Sequence, residues 1–261
     1  MNKQITVAEL VELLEEMAPP SLAEEWDNVG LMLGRRAKVV HKIMLALDMT
    51  RETVAQAIEY RADMLITHHP AIFKRLPHIT DGNWQQELLL QLGEHGIAVY
   101  SALTNLDCVS NGVNDALVKR LGIVDEDILD NSNGLGRIGY VKECSLEAFA
   151  KHVKQALHAD YVAVGDGGRR VQRVAICGGA GSDLIEEALR QNADTLVTGD
   201  VKYHDAQRAV FSGLNIIDAG HQCTEWPVLE DLADRLSLRF AEKDWNITLK
   251  VAKESLLLKH V

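Results

Sequence analysis

Short apolar runs alternate with amphipathic stretches along most of the chain. Runs at 43–47, 64–66, 97–100, 171–176, 195–198 and 215–217 read as strands. The runs at 43–47 and 64–66 are apolar throughout rather than alternating, as in parallel sheets covered on both faces. Between them lie helical patterns. Thr6-Val7-Ala8-Glu9 is a capping box that opens a helix with Leu10, Leu13, Leu14 and Met17 on one face, and Pro19-Pro20 ends it. Thr50 caps a helix through Val54, Ala57 and Ile58. Further helices are expected through Leu88, Leu89 and Leu92, over 111–121 and 146–157, and through Leu184, Ile185, Ala188 and Leu189. A C-terminal helix (Val228, Leu229, Leu232) and a last strand (Ile247, Leu249, Val251) close the pattern. The class expected is α/β, with mixed sheets flanked by helices. Residues 123–170 carry the weakest period.

Part of the pattern occurs twice. Ala62-Asp63-Met64-Leu65-Ile66-Thr67 and Ala193-Asp194-Thr195-Leu196-Val197-Thr198 share Ala-Asp-x-Leu-aliphatic-Thr. At the same offset Ile43 falls on Val174 and Asp48 on Gly179. After a shorter connection, Leu103-x-x-x-Asp107 aligns with His221-x-x-x-Glu225. Such a repeat is structural before it is functional. It predicts two related α/β lobes, 1–125 and 126–261, facing each other, with a metal site in the cleft where their strand ends meet.

The chemistry gathers at strand ends, where open α/β sheets bind ligands. Thr67-His68-His69-Pro70 follows one strand, Asp107 another, and His221 and Glu225 a third. If a helix begins at His221, His221 and Glu225 share a face at i, i+4 spacing. Imidazole and carboxylate together suit zinc, iron, manganese or cobalt, and five such groups suffice for two ions. Two glycine-rich stretches carry competing readings. Gly134-Leu135-Gly136-Arg137-Ile138-Gly139 looks like a phosphate cradle but follows no expected strand and opens no expected helix, so a dinucleotide site fails its context. Cys177-Gly178-Gly179-Ala180-Gly181 reads as a tight strand–helix turn or an anion site at a helix N-terminus.

Composition narrows the class. A net charge of -11 and 5% aromatic residues argue against nucleic-acid binding. Four cysteines without a C-x-x-C exclude a zinc ribbon, and Cys108 and Cys223 read as small buried residues beside the ligands. Met1 to Gln4 lead into an amphipathic helix rather than a secretory signal, and no run is long enough to span a bilayer. A reduced, cytoplasmic protein is expected. His41, His78, His95, His152, His158 and His260 lack a motif and read as surface or structural histidines.

Trp26-Asp27-Asn28-Val29-Gly30-Leu31, Thr67-His68-His69-Pro70, Thr104-Asn105-Leu106-Asp107, Gly199-Asp200-Val201-Lys202-Tyr203-His204 and Gly220-His221-x-x-Thr224-Glu225 resemble the NGG-interacting-factor-like family. Its bacterial members are described as GTP cyclohydrolase 1 type 2 homologs, and the chain resembles their short form, without the inserted domain. The resemblance implies a toroidal homohexamer with two divalent metal ions (zinc, iron or manganese) per subunit. It implies His68, His69, Asp107, His221 and Glu225 as ligands. It implies a metal-dependent hydrolase acting on a nucleotide-like small molecule, GTP if the family label holds. Hydrolysis of a phosphoester or damaged nucleotide, or a non-catalytic metal-binding ring, are the alternatives. His204 reads as a general acid/base, or as a helix-start or ligand-orienting residue. Lys202 and Arg75 could meet phosphates or be solvated charges. Leu103 stands where the family commonly has histidine, and leucine neither binds metal nor carries a proton.

Overall fold

The computed structural model describes residues 4–258. Met1–Lys3, read with the N-terminal segment, and His260 lie outside them. In chain order the elements are α1 (Val7–Met17), β1 (Gly30–Leu33), β2 (Lys42–Ala46), α2 (Arg51–Tyr60), β3 (Met64–Thr67), α3 (Trp84–Glu94), β4 (Ala98–Ser101), α4 (Thr104–Cys108) and α5 (Val113–Leu121). They continue with β5 (Val124–Asp130), β6 (Leu135–Cys144), α6 (Leu146–Ala156), β7 (Ala163–Gly165), β8 (Val171–Ala180) and α7 (Ile185–Arg190). The last are β9 (Thr195–Gly199), α8 (Tyr203–Phe211), β10 (Asn215–Asp218), α9 (His221–Glu225), α10 (Pro227–Glu242) and β11 (Thr248–Val251).

The chain divides into two compact units. One comprises Met1–Val109 with Leu229–Ser255, the other Ser110–Val228 with Leu256–Val261. The first holds a five-stranded sheet in the order β1-β4-β3-β2-β11, the second a six-stranded sheet in the order β5-β6-β8-β9-β10-β7. Both sheets are mixed. β4, β3, β2 and β11 run parallel with β1 antiparallel. β8, β9 and β10 run parallel, with β7 and the β5–β6 hairpin antiparallel. β11 lies beside β2, so residues 229–255 return to the first unit, where the sequence reading keeps them with the second lobe.

The repeat is visible residue by residue. Each unit contains α–β–β–α–β–α–β–α, from α1 to α4 and from α6 to α9. Ile43 pairs Met64, which pairs Ala98; Val174 pairs Thr195, which pairs Asn215. The shared Asp has a backbone task. Asp63 Oδ2 accepts N–H bonds from His41 (2.8 Å) and Lys42 (3.0 Å), and Asp194 Oδ2 accepts them from Gln172 (2.8 Å) and Arg173 (2.6 Å). Each carboxylate thereby ties the start of its own strand to the start of the neighbouring one. Burial works to raise the pKa of Asp63, yet the His41 N–H, Lys38 and the Lys42 N–H bring it below its ordinary value. The preceding Arg61 and Asn192 both adopt the left-handed conformation that ends a helix, with φ of 54° and 59°.

The faint segment is a hairpin. Gly134 to Gly139 do follow a strand, β5, but they form the turn and first half of β6 in an antiparallel hairpin rather than a helix N-terminus, so the phosphate-cradle reading fails on structure. A Cβ on Gly139 would meet Ile123 Cγ2 at 2.6 Å and one on Gly136 the Ile176 carbonyl at 2.9 Å. These glycines permit close backbone packing. Acidic and exposed over most of its length, β5 gives little periodicity to read. Among the described residues no helix is long and apolar enough to cross a membrane.

Candidate functional site

In the first unit the ligand candidates stand where β3 and β4 end. Strand β3 is buried along its whole length and delivers His68 and His69 to the turn before Pro70. Thr67 Oγ1, which closes the strand, donates to the His69 carbonyl (2.7 Å) and meets Ser101 Oγ (2.8 Å). His68 is 2% exposed, and its Nδ1 lies 2.8 Å from the Ala102 carbonyl. His69 Nδ1 lies 3.0 Å from Asp48 Oδ1. A carbonyl and a carboxylate only accept, so both Nδ1 atoms donate. His68 Nε2 lies 3.6 Å from Asp107 Oδ1 on α4.

The short helix α4 is capped from a distance. Leu103, at its N-cap, has no capping side chain. Asp27 supplies the oxygen instead, accepting from Thr104 N (3.0 Å) and Thr104 Oγ1 (2.7 Å). Asn105 Nδ2 donates to the Ala18 carbonyl (2.7 Å). The Trp-Asp-Asn stretch is therefore a brace for the helix that carries Asp107, through Asp27.

In the second unit His221 and Glu225 open and close α9, and the expected i, i+4 pairing is present, with His221 Nε2 3.1 Å from Glu225 Oε1. His221 Nδ1 lies 2.8 Å from Asp200 Oδ2, so a carboxylate stands at each ring nitrogen. Glu225 is 3% exposed. The glycine stretch explains how α9 fits. Strand β8 runs on to Ala180, so Gly178 and Gly179 end a strand rather than open a helix. A Cβ on Gly179, whose φ is +65°, would strike Glu225 Oε1 and come within 3.2 Å of His221 Nε2. One on Gly199 would come within 2.5 Å of the His221 nitrogen. The glycines make room for His221 and Glu225, and the N–H groups of Gly178, Gly179 and Gly181 are taken by Asn114 Oδ1, Thr224 Oγ1 and Thr198 Oγ1. Thr224 Oγ1 accepts from Gly179 N (2.9 Å), locking α9 to β8.

His204 lies exposed at the start of α8, edge-on to the Tyr203 ring at 5.3 Å. Lys202 and Arg75 are exposed. Cys223 packs in the core beneath α9, and burial raises its thiol pKa. His95 and His152 bond the Gln91 and Leu121 carbonyls and serve structure. The sequence reading missed Asp48, Asp27 and Asp200 as supports. Asp48 and Asp200 follow strands directly, and that position was their signal. It also missed Glu254, whose carboxylate accepts from Leu47 N (2.6 Å) and Asp48 N (3.2 Å), and no motif surrounds it. The helix caps shift one alignment: Leu103 corresponds to Gly220 and Thr104 to His221, so Asp107 matches Thr224 rather than Glu225.

The motifs have relatives. The model of the Duf34/NIF3 (NGG1p interacting factor 3) family matches residues 5–255. A Clostridium perfringens protein called GTP cyclohydrolase 1 type 2 homolog is 35% identical over 254 residues, covering 95% of this chain and 96% of its own. NIF3-like protein 1 of Drosophila melanogaster is 32% identical, covering 96% and 88%. The crystal structure of a Bacillus cereus protein related to NIF3 superposes with a TM-score of 0.93 at 26% identity, over 99% of this chain and all of its own. With two mixed sheets, the doubled strand–helix motif and a family match over nearly its full length, the chain belongs to the Duf34/NIF3 family.

Proposed function

We propose that His68, His69, Asp107, His221 and Glu225 together hold two divalent metal ions, and that the protein is a metal-dependent hydrolase of a nucleotide-like substrate. One observation carries the metal reading. All three histidines engage Nδ1 with an acceptor, Ala102 O, Asp48 or Asp200, which turns Nε2 into the ligand atom. His95 also bonds a carbonyl through Nδ1, but Nε2 of His68 and of His221 additionally faces a carboxylate, Asp107 at 3.6 Å and Glu225 at 3.1 Å. The space that Gly179 leaves for Glu225 and His221 supports the same reading. The set of nitrogen and oxygen donors suits zinc, iron or manganese.

Bound in pairs, such ions activate water and polarise an electrophile. The chain's own groups do the rest. Asp48 and Asp200 orient the imidazoles of His69 and His221 through Nδ1, and Asp27 holds the helix of Asp107 through Thr104. His204, exposed on α8, is proposed to exchange protons with the substrate. Lys202, at the cap of α8, offers a cation for a phosphate. GTP is the first substrate to try, from the name of the Clostridium perfringens relative. A homohexamer is proposed from family membership and is read by light scattering.

Metal-loaded protein is incubated with GTP, and formate and GTP loss are followed, with Glu225→Gln alongside. Formate release abolished in the variant supports the reading. GTP loss without formate, or turnover of a phosphoester instead, keeps the hydrolase and changes its substrate. Retained metal without turnover of any of these contradicts catalysis and leaves a metal-binding interaction module.

A further inference from the structure

We propose that Glu254 is a positioning residue for His69, through which the C-terminal tail sets the geometry of that ligand. This inference rests on the metal reading above. Asp48, the residue that holds His69 Nδ1, sits on a turn fixed from two sides. Thr53 Oγ1 donates to its carbonyl (2.7 Å). On the other side both oxygens of Glu254 are used, one for Leu47 N (2.6 Å) and one for Asp48 N (3.2 Å). Two consecutive N–H groups on one carboxylate fix the peptide plane that aims the Asp48 side chain.

The tail is itself anchored, so Glu254 is held in place rather than draped there. β11 extends the sheet beside β2, and Ala252 N donates to the Leu45 carbonyl (2.8 Å). Lys253 and Gln56 exchange two bonds (2.6 and 2.9 Å), and Ser255 N donates to Glu52 Oε2 (3.0 Å). The clasp on α2 therefore flanks Glu254 on both sides. The second unit satisfies the equivalent two N–H groups with neutral oxygens. Gly178 N donates to Asn114 Oδ1 (3.0 Å) and Gly179 N to Thr224 Oγ1 (2.9 Å). A carboxylate beside Asp48 repels it, whereas an amide or hydroxyl would not. Its use here fits a need for one rigid group that spans both N–H donors.

The test compares full-length wild type with Glu254→Ala and Glu254→Gln. Imidazole 15N spectra of the metal-free proteins report the His69 tautomer. Zinc titration against a chelator reports affinity. We expect His69 as Nδ1–H in wild type, a mixture of tautomers in Glu254→Ala, and about tenfold or greater loss of zinc affinity. Glu254→Gln, whose amide oxygen still accepts one N–H, should fall between them, and supplies both readouts if the alanine variant does not fold. A merely structural role would lower the melting temperature and leave tautomer and affinity unchanged, which overturns the proposal. If wild type takes no zinc, the metal reading fails on its own, and the tautomer still decides whether Glu254 positions His69.

Discussion

The two repeats share a backbone and divide the chemistry differently. In the first, the turn after the second repeated strand carries His69, oriented by Asp48 from the turn after the first. In the second, the same two positions are Asp200 and Gly179. Asp200 orients His221, which stands on α9, beyond α8 and β10. Gly179 keeps space for Glu225, where the first repeat needs the Asp48 side chain. An aspartate, a histidine and a glycine have thus exchanged places on one scaffold, while Asp63 and Asp194 do the same backbone work in both. Matched backbone positions report the fold; mismatched ones report the site.

The sharpest way to break this comparison is to exchange its glycine. Gly179→Ala should collide with the Glu225 carboxylate from a left-handed backbone, costing about 2 kcal/mol or more and removing the metal. Asp48→Ala, at the matched position, should leave the fold intact and weaken metal binding about 10–100-fold. Chemical denaturation beside metal titration checks both, and equal effects at the two positions would dissolve the distinction. The shared aspartates should differ in degree. Asp194→Ala should cost about 2–4 kcal/mol, because the 4%-exposed carboxylate accepts two short backbone bonds. The more exposed Asp63 should cost about 1–2 kcal/mol when truncated, with no loss of metal. Urea midpoints of the two variants give the order.

A further effect depends on pH. Burial chiefly, with Asp48 adding to it against the N–H bonds from Leu47 and Asp48, pushes the Glu254 carboxyl from its ordinary 4.5 to about 7. Between those values the native state binds more protons than the unfolded chain. Stability from this group is therefore complete below about 4.5 and falls as pH rises to about 7. Glu254→Gln does not titrate, so the wild-type advantage should shrink by about 1–3 kcal/mol across that window. A difference flat with pH would show a normal Glu254.

Much of this was legible in the sequence for physical reasons. Buried parallel strands carry short apolar runs, so β2, β3, β4, β8, β9 and β10 stand out. The capping box at Thr6 and the cap at Thr50 are local, and both form. The i, i+4 spacing of His221 and Glu225 needs only a helix, and α9 supplies it. Long-range features stayed hidden. β11 returns to β2 across most of the chain, and no local pattern marks that pairing. Asp27 caps α4 across 77 residues, and Glu254 reaches Leu47 across 207. Gly179 looked like a turn because its reason, the Glu225 carboxylate, comes from another element.

The central proposal is that His68, His69, Asp107, His221 and Glu225 hold two metal ions. Elemental analysis of purified wild type, His68→Ala and Glu225→Gln tests it most directly, since the two substitutions fall in different units. The account predicts about two transition-metal ions per chain in wild type and loss of metal in both variants. Wild type that contains no metal and takes up neither zinc, manganese nor iron would contradict it.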